Sequence, residues 1–179
     1  MFGRLKNSPP VKRLAAELLE SARAAAREPA LFGPGRTPDT LDGRFESMAL
    51  HVALLVERLG GAGDSGAKLS QALFDAFVRD LDGALREMAV GDLTVPKKIR
   101  RMGEAFYGRL KAYREALAGG DDDALSAALA RNMFATAPAS VTFLASLTAY
   151  VRASHVRLAA QPVETFLAGE PPRWAAPPA

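Results

Sequence analysis

The sequence contains no cysteine among its 179 residues. This absence excludes disulfide bonds, thiolate metal sites, iron–sulfur ligation and cysteine nucleophiles. Histidine is also scarce, with two residues in the whole chain. No uncharged apolar run approaches the roughly 20 residues that cross a bilayer, and the basic N-terminus is not followed by the apolar region of a secretory signal. We therefore expect a soluble, cytoplasmic protein.

β-Branched residues are few beside leucine and alanine, which dominate the apolar residues. This balance favours helices over strands. Hydrophobic residues make up 49% of the chain and charged residues 24%, a composition typical of a folded globular domain. The sequence predicts an all-α fold in which about six helices form a bundle-like array. We expect one helical domain over residues 1–160 and an irregular, Pro-rich C-terminal tail over residues 161–179.

Apolar residues recur at intervals of three and four in two long segments, as they do along the buried face of a helix. The first stripe predicts buried core and consists of Leu41, Phe45, Met48, Val52, Leu55 and Leu59. The second predicts the buried line of the next helix and consists of Leu69, Leu73, Phe77, Leu81, Leu85 and Met88. A break at Gly91–Pro96 follows it, and the acids at Asp121–Asp123 favour the N-terminus of a later helix.

The segment Gly61–Gly66 matches the pattern G-x-G-x-x-G. In a P-loop the lysine follows the last glycine directly, whereas Ala67 separates Gly66 from Lys68 in this chain. A dinucleotide-binding loop needs a strand before it, and the preceding segment has the periodicity of a helix. The glycines therefore predict a flexible hinge between two helices rather than a nucleotide site.

No arrangement for catalysis or metal binding emerges from the remaining polar residues. Asp75–Arg79 and Asp82–Arg86 are spaced i, i+4, which predicts ion pairs on a solvated helix face. No serine lies in a nucleophile-elbow sequence. His51, beside the first apolar stripe, is interpreted as a half-buried, hydrogen-bonded residue, and ligation of haem is the alternative. We expect no catalytic residue, no metal site and no cofactor.

The densest charge of one sign lies in the run Lys97-Lys98-Ile99-Arg100-Arg101. The net charge of the chain is only +3, so a local patch matters more than the total. Helical geometry places Lys97, Lys98 and Arg101 on the polar side of a helix while Ile99 faces inward. Such a patch suits ribosomal RNA, anionic lipid or an acidic protein, and an ordinary solvated helix face is the alternative.

A series of short motifs occurs in order along the chain. They are Thr40-Leu41-Asp42-Gly43-Arg44-Phe45-Glu46, Leu50-His51-Val52, Leu69-Ser70-Gln71-Ala72-Leu73-Phe74-Asp75-Ala76-Phe77, Asp80-Leu81-Asp82, Leu85-Arg86-Glu87-Met88, Val90-Gly91-Asp92-Leu93, Val95-Pro96-Lys97-Lys98 and Phe106-Tyr107-Gly108-Arg109. Taken together, these motifs resemble the ubiquinol–cytochrome c chaperone family. The resemblance covers roughly the part of the chain from Val11 to Val156.

The resemblance implies an all-helical, non-catalytic protein. Mitochondrial members of the family help to make and stabilise cytochrome b. They act with a small partner protein near the ribosomal tunnel exit and hold newly inserted cytochrome b before the bc1 complex assembles. The chain begins almost at the domain and has no long amphipathic transit segment, which favours a bacterial member. We therefore expect an assembly chaperone for cytochrome b, and for a bacterial member the small partner and a ribosome-bound role stay open.

A chaperone needs a binding face rather than a reaction centre, and the charged side of the two helices around Gly91–Pro96 is predicted to supply it. The residues expected on or beside this client face are Asp75, Asp82, Arg86, Asp92, Lys97, Lys98, Arg101, Tyr107 and Arg109. The basic residues would also place the protein peripherally at the inner face of the cytoplasmic membrane. Two alternative functions are a membrane-surface or ribosome-binding adapter acting through Lys97–Arg101 and a haem-binding helical protein using His51.

Overall fold

The structure, a computed structural model, describes residues 9–88, 94–135 and 137–178. Within these residues the chain forms six long helices and one short one, and no β-strand. The helices are α1 (Pro9–Ala26), α2 (Leu41–Gly60), α3 (Gly63–Glu87), α4 (Val95–Ala118), α5 (Asp122–Met133), α6 (Val141–Ala160) and α7 (Val163–Leu167), with one 3-10 turn at Pro29–Leu31. The expected all-α array of about six helices is confirmed. The tail predicted over residues 161–179 is irregular only after Leu167, because α7 lies within it and buries Phe166.

Side-chain caps define the start of three helices. The Thr40 hydroxyl accepts a hydrogen bond from the Gly43 backbone N–H at 3.2 Å, and the Ser140 hydroxyl opens α6 in the same way. The Asp121 carboxylate accepts from two backbone N–H groups of the first turn of α5. These contacts satisfy donors that a helix leaves unpaired at its N-terminus, so the expectation for the acids at Asp121–Asp123 is confirmed.

Helix α2 lies at the centre of the array and packs against α1, α3, α4, α5 and α6. Its stripe is buried at Val52, Leu55 and Leu59, as the sequence predicts. At the N-terminal end of the stripe the prediction is wrong, because Leu41 is 59% exposed and Phe45 and Met48 are only partly buried. The exposed end of α2 borders an open groove that is described below.

The connection between α2 and α3 is short and tightly packed. Helix α3 begins at Gly63, so most of the predicted hinge is helical. A Cβ atom on Gly66 would lie 2.5 Å from the Leu59 carbonyl oxygen, and the Ser70 hydroxyl donates to the Val56 carbonyl at 2.9 Å. The expected break between two helices is confirmed, but it is shorter than predicted, and the last glycine of the G-x-G-x-x-G pattern allows the two helices to approach closely.

The segment after α6 packs back onto the domain. Phe166 of α7 is fully buried, and the guanidinium of Arg58 lies 5.9 Å from the centre of its ring. Residues 168–178, named here the C-terminal strap, follow without regular structure. The buried Gln161 side chain holds the strap through hydrogen bonds to the Pro171 carbonyl and the Arg173 N–H, each at 3.1 Å. The strap is thus fixed to the domain by specific polar contacts.

Candidate functional site

His51 lies in the centre of the domain and is fully buried rather than half-buried as expected. Its Nδ1 donates to the Ser47 carbonyl at 2.7 Å, because a carbonyl can only accept. Its Nε2 is 2.7 Å from the Tyr150 hydroxyl and therefore accepts from it. The Trp174 ring closes the site with a ring-centre distance of 5.2 Å. Both nitrogens are occupied, so no nitrogen is available to ligate haem iron.

Burial controls the ionisation of this histidine. Desolvation lowers the pKa of His51 to about 4, against a smaller opposing effect of its hydrogen bond to Ser47. Desolvation also raises the pKa of Tyr150 to about 12. Both side chains are consequently neutral at physiological pH, and they act as a structural link between α2 and α6.

The charged side of α3 has the expected ion pair between Asp82 and Arg86, with 2.7 Å between Oδ2 and Nε. The prediction of an Asp75–Arg79 ion pair is wrong, because the Arg79 Nε donates to the backbone carbonyl of Asp75 rather than to its carboxylate. The Asp75 carboxylate instead accepts from the Gln71 side chain at 2.9 Å. This side of the helix is polar and already largely hydrogen-bonded to itself.

The basic run lies at the start of α4, as the sequence indicates. Lys97, Lys98, Arg100 and Arg101 are all exposed. Among the described residues none of these four has a carboxylate within ion-pair distance. Asp92, which was predicted on the same face, lies outside the described residues. The start of α4 therefore presents four positive charges to solvent.

Tyr107 is half exposed and lies against α3, where its ring centre is 4.9 Å from that of Phe74. Burial, with a smaller effect of the negative charge of Asp75, raises the pKa of Tyr107. Because Phe74 directly precedes Asp75, this ring contact places Asp75 near Tyr107 across the seam between α3 and α4. The structure thus brings these two predicted residues together.

Arg109 differs from the other predicted residues, because its side chain is only 16% exposed. It forms two hydrogen bonds with the Glu46 carboxylate of α2, one of them 2.7 Å from Nε to Oε2. Its guanidinium also lies 5.9 Å from the ring centre of Phe45. The side chain therefore lies in the seam between α2 and α4 and is paired, unlike the basic residues at the start of α4.

A large open groove lies where the end of α1, the loop over residues 29–39, the start of α2 and the middle of α3 meet. It has a volume of about 900 Å³. The apolar side chains that line it are Phe32, Leu41, Phe45, Met48, Phe77 and Leu81, and the charged ones are Arg23, Arg27, Asp39, Arg44 and Asp80. Sequence reasoning does not identify this groove, because residues from four separate segments form it.

Close packing of the loop on α2 shapes one wall of the groove. A Cβ atom on Gly43 would lie 2.0 Å from the Pro38 carbonyl oxygen, so only glycine allows this approach. On the floor, the rings of Phe45 and Phe77 stack with 6.3 Å between their centres. Phe77 also contacts Phe106 of α4 at 5.6 Å. Aromatic packing therefore connects the groove with the core and with α4.

The charges on the rim of the groove are mostly paired with one another. Arg23 and Asp80 are 2.8 Å apart, and Arg44 and Asp39 are 2.6 Å apart. The second pair lowers the pKa of Asp39 through its hydrogen bond with Arg44. Two of the three basic residues on the rim are thus neutralised locally, and the groove offers mainly apolar surface.

The last part of α3 lies beyond its ion pair with α1. Arg23, near the end of α1, contacts Asp80 of α3, and α3 continues for about two further turns to Glu87. The predicted buried line of α3 is buried at Leu69, Leu73 and Phe77. Beyond Phe77 the prediction is wrong, because Leu81 and Leu85 are only partly buried and Met88 is 50% exposed. The spacing of apolar residues along a sequence predicts which side of a helix is apolar, but it does not predict whether another element covers that side.

Groups of three or more His, Asp or Glu that could hold a metal ion do not occur in the part of the chain that the structure describes. Within the same residues, no helix is long and apolar enough to span a bilayer. The described surface has three notable features: an apolar groove, exposed residues at the end of α3, and a cluster of basic side chains without carboxylate partners at the start of α4.

Comparison with known proteins assigns the chain to a family. A profile described as "Ubiquinol-cytochrome C chaperone" matches residues 35–174. This chain is a member of the ubiquinol-cytochrome C chaperone family. The match extends from the groove loop through all the helices after α1 and reaches Trp174 in the C-terminal strap.

Two relatives of this family member are informative. The ubiquinol-cytochrome-c reductase complex assembly factor 1 of Xenopus laevis is 30% identical over 96 residues, which are 54% of this chain and 48% of that protein. The chain thus spans about half the length of this curated relative. The crystal structure of the Cbp3 homolog from Brucella abortus has a TM-score of 0.83, with 32% identity over 93% of this chain and 91% of that one.

Proposed function

We propose that this protein is an assembly chaperone of the ubiquinol–cytochrome c reductase (bc1) complex and that it holds newly made cytochrome b. The family match over residues 35–174 is the observation that carries the proposal. The similar Xenopus laevis protein is an assembly factor of the same complex. A chaperone of this kind binds a client without changing its covalent structure, so the protein is proposed to be non-enzymatic.

The surface of the domain suits such a role. The one histidine in the core, His51, is covered by Tyr150 and Trp174 and is not part of this surface. The exposed residues of the domain combine apolar side chains with positive charge. A membrane-protein client offers apolar helices and short polar loops, and mixed surfaces of this kind bind such partners. The chemistry of the exposed surface therefore supports client holding.

The direct test is purification of the tagged full-length protein from detergent-solubilised membranes of cells that make cytochrome b. We expect cytochrome b to copurify with it, and we expect cells without the protein to contain less assembled bc1 complex. Normal bc1 levels in its absence, together with no copurifying cytochrome b, would contradict the proposal.

Reversal of the basic run tests the predicted client face. We expect the triple variant Lys97→Glu, Lys98→Glu, Arg101→Glu to capture severalfold less cytochrome b, because three attractive charges become repulsive. Circular dichroism and thermal unfolding should be unchanged, since these side chains are exposed.

A variant with the same change in charge is the matched control for this reversal. Lys12, Lys68 and Lys111 are exposed lysines outside the basic run, and reversing all three should leave the capture of cytochrome b near the wild-type level. Equal losses in the two triple variants would indicate an effect of net charge and would contradict a specific role for the start of α4.

Lys97, Lys98, Arg100 and Arg101, which have no carboxylate partner among the described residues, also favour a second role, peripheral binding to the anionic inner face of the cytoplasmic membrane. An exposed base near such a surface contributes about 1 kcal/mol. We therefore expect Lys98→Ala to weaken binding to phosphatidylglycerol-containing vesicles about fivefold, measured by sedimentation, while Lys12→Ala has no effect. Binding to ribosomes but not to vesicles would favour the ribosome adapter instead.

A further inference from the structure

We infer that the groove and the uncovered side of α3 together hold an apolar helical segment of a membrane-protein client. This inference rests on the proposed function and names the surface and the kind of segment that the surface accepts. The combined surface, named here the trough, consists of the apolar groove residues and the α3 residues Leu81, Ala84 and Met88. These three residues follow Phe77 at positions i+4, i+7 and i+11, which lie on one side of a helix.

The rim of the groove points to an uncharged occupant. Arg23 is bound to Asp80 and Arg44 is bound to Asp39, so four of the five charged groups on the rim need no charge from a partner. Arg27 is the fifth, and among the described residues it has no ion-pair partner. A strongly acidic or basic segment would have to break these pairs or leave its own charges unpaired. An apolar segment avoids both costs and removes the apolar floor from water.

The length of the trough fits part of a membrane-spanning helix. Phe77 and Met88 are 11 residues apart on α3, which corresponds to about 16 Å at 1.5 Å per residue. The hydrocarbon core of a bilayer is roughly 30 Å thick. The trough can therefore cover about half the length of a spanning helix, over about three helical turns.

Both sides of the trough carry large apolar side chains that the fold leaves in water. Leu41 begins the stripe of α2 and is 59% exposed on one rim, and Met88, at the end of the α3 stripe, is also exposed. An amphipathic helix is stabilised in a domain by burial of its apolar side. Leu41 lines the groove, and Met88 lies on the same side of α3 as the groove residues Phe77 and Leu81. We take these exposed stripe ends as the surface that a further helix covers.

Site-specific photo-cross-linking in cells tests the occupant. The full-length chain would carry p-benzoylphenylalanine at Leu41 or Met88, and at Val141 as a control on an exposed apolar residue of α6. Mass spectrometry of the adducts should identify peptides from a membrane-spanning segment at Leu41 and Met88 but not at Val141. Adducts with a second copy of this chain, adducts with lipid alone, or no adducts at either trough position would overturn the inference.

Charge insertion provides an independent test. Leu41→Glu and Met88→Glu should each reduce the capture of cytochrome b about tenfold, whereas Val141→Glu and Val156→Glu, also at exposed apolar residues, should not. Undiminished capture by both trough variants would overturn the inference while leaving the chaperone function intact. Conversely, trough adducts with a spanning segment of another membrane protein would contradict the choice of cytochrome b and support the trough.

Discussion

Lowering the pH from 6.5 to 4 should cost the protein roughly 3 kcal/mol of unfolding free energy through His51 alone. In the unfolded chain a histidine takes up a proton near its ordinary pKa of 6.5, whereas in the folded protein burial lowers the pKa of His51 to about 4. Between these values the unfolded state binds one proton more than the folded state. Stability is therefore complete above pH 6.5 and is lost as the pH falls toward 4.

Urea unfolding at a series of pH values measures this effect. His51→Gln removes the titrating group, so the variant should show a slope of unfolding free energy against pH that is smaller by up to about 1.4 kcal/mol per pH unit within this window. The comparison of slopes does not depend on how much the substitution itself destabilises the protein. Identical slopes for the two proteins would contradict the burial of a neutral His51.

Removing Arg109 should destabilise the protein by about 3 kcal/mol. The substitution Arg109→Met would leave the Glu46 carboxylate, 14% exposed, without its cationic partner. Burial already raises the pKa of Glu46 in spite of that partner. Without Arg109, the folded protein favours the protonated, neutral form of Glu46. The contribution of this group to stability is therefore fully present below the ordinary pKa of a glutamate and is lost as the pH rises through the pKa of Glu46 in the folded state. We therefore expect a larger defect at pH 8 than at pH 5, measured by urea unfolding.

A double-mutant cycle separates this pair from a role in client binding. Glu46→Gln combined with Arg109→Met replaces the charged pair by two neutral side chains and should recover part of the lost stability. Strictly additive effects would contradict a coupled ion pair. If Arg109→Met unfolded like the wild type but captured less cytochrome b, Arg109 would belong to the client face, as the sequence predicted, rather than to the seam between α2 and α4.

Structure can be predicted from the sequence most reliably where a residue interacts with others a few positions away in the chain. Thr40, Ser140 and Asp121 can cap a helix because the N–H groups that they bind lie two or three residues ahead. The burial of Val52, Leu55 and Leu59 also follows from local spacing. The same spacing failed at Leu41 and Met88, because the exposure of these residues depends on where other helices end.

The candidate site was less predictable, since its main parts join distant segments. The positions of Lys97, Lys98 and Arg101 on an exposed face follow from helix geometry and a single charge run. In contrast, the Arg109–Glu46 pair spans 63 residues, and no local pattern reveals it. Leu41 of the groove belongs to an apolar stripe, but such a stripe predicts buried core and does not by itself reveal a groove.

The packing of α1 and α2 depends on the C-terminal strap, because Trp174 of the strap contacts residues of both helices. Trp174 donates to the hydroxyl of Ser21, 153 residues earlier, and its ring covers His51. A ribosome releases Ser21 and His51 long before Trp174, so the nascent chain can complete its local helices while this contact is still missing. Contacts between such distant residues form late in folding. The native core is therefore complete only after Trp174 has left the ribosome, and chains shortened before Trp174 should persist as helical but loosely packed intermediates.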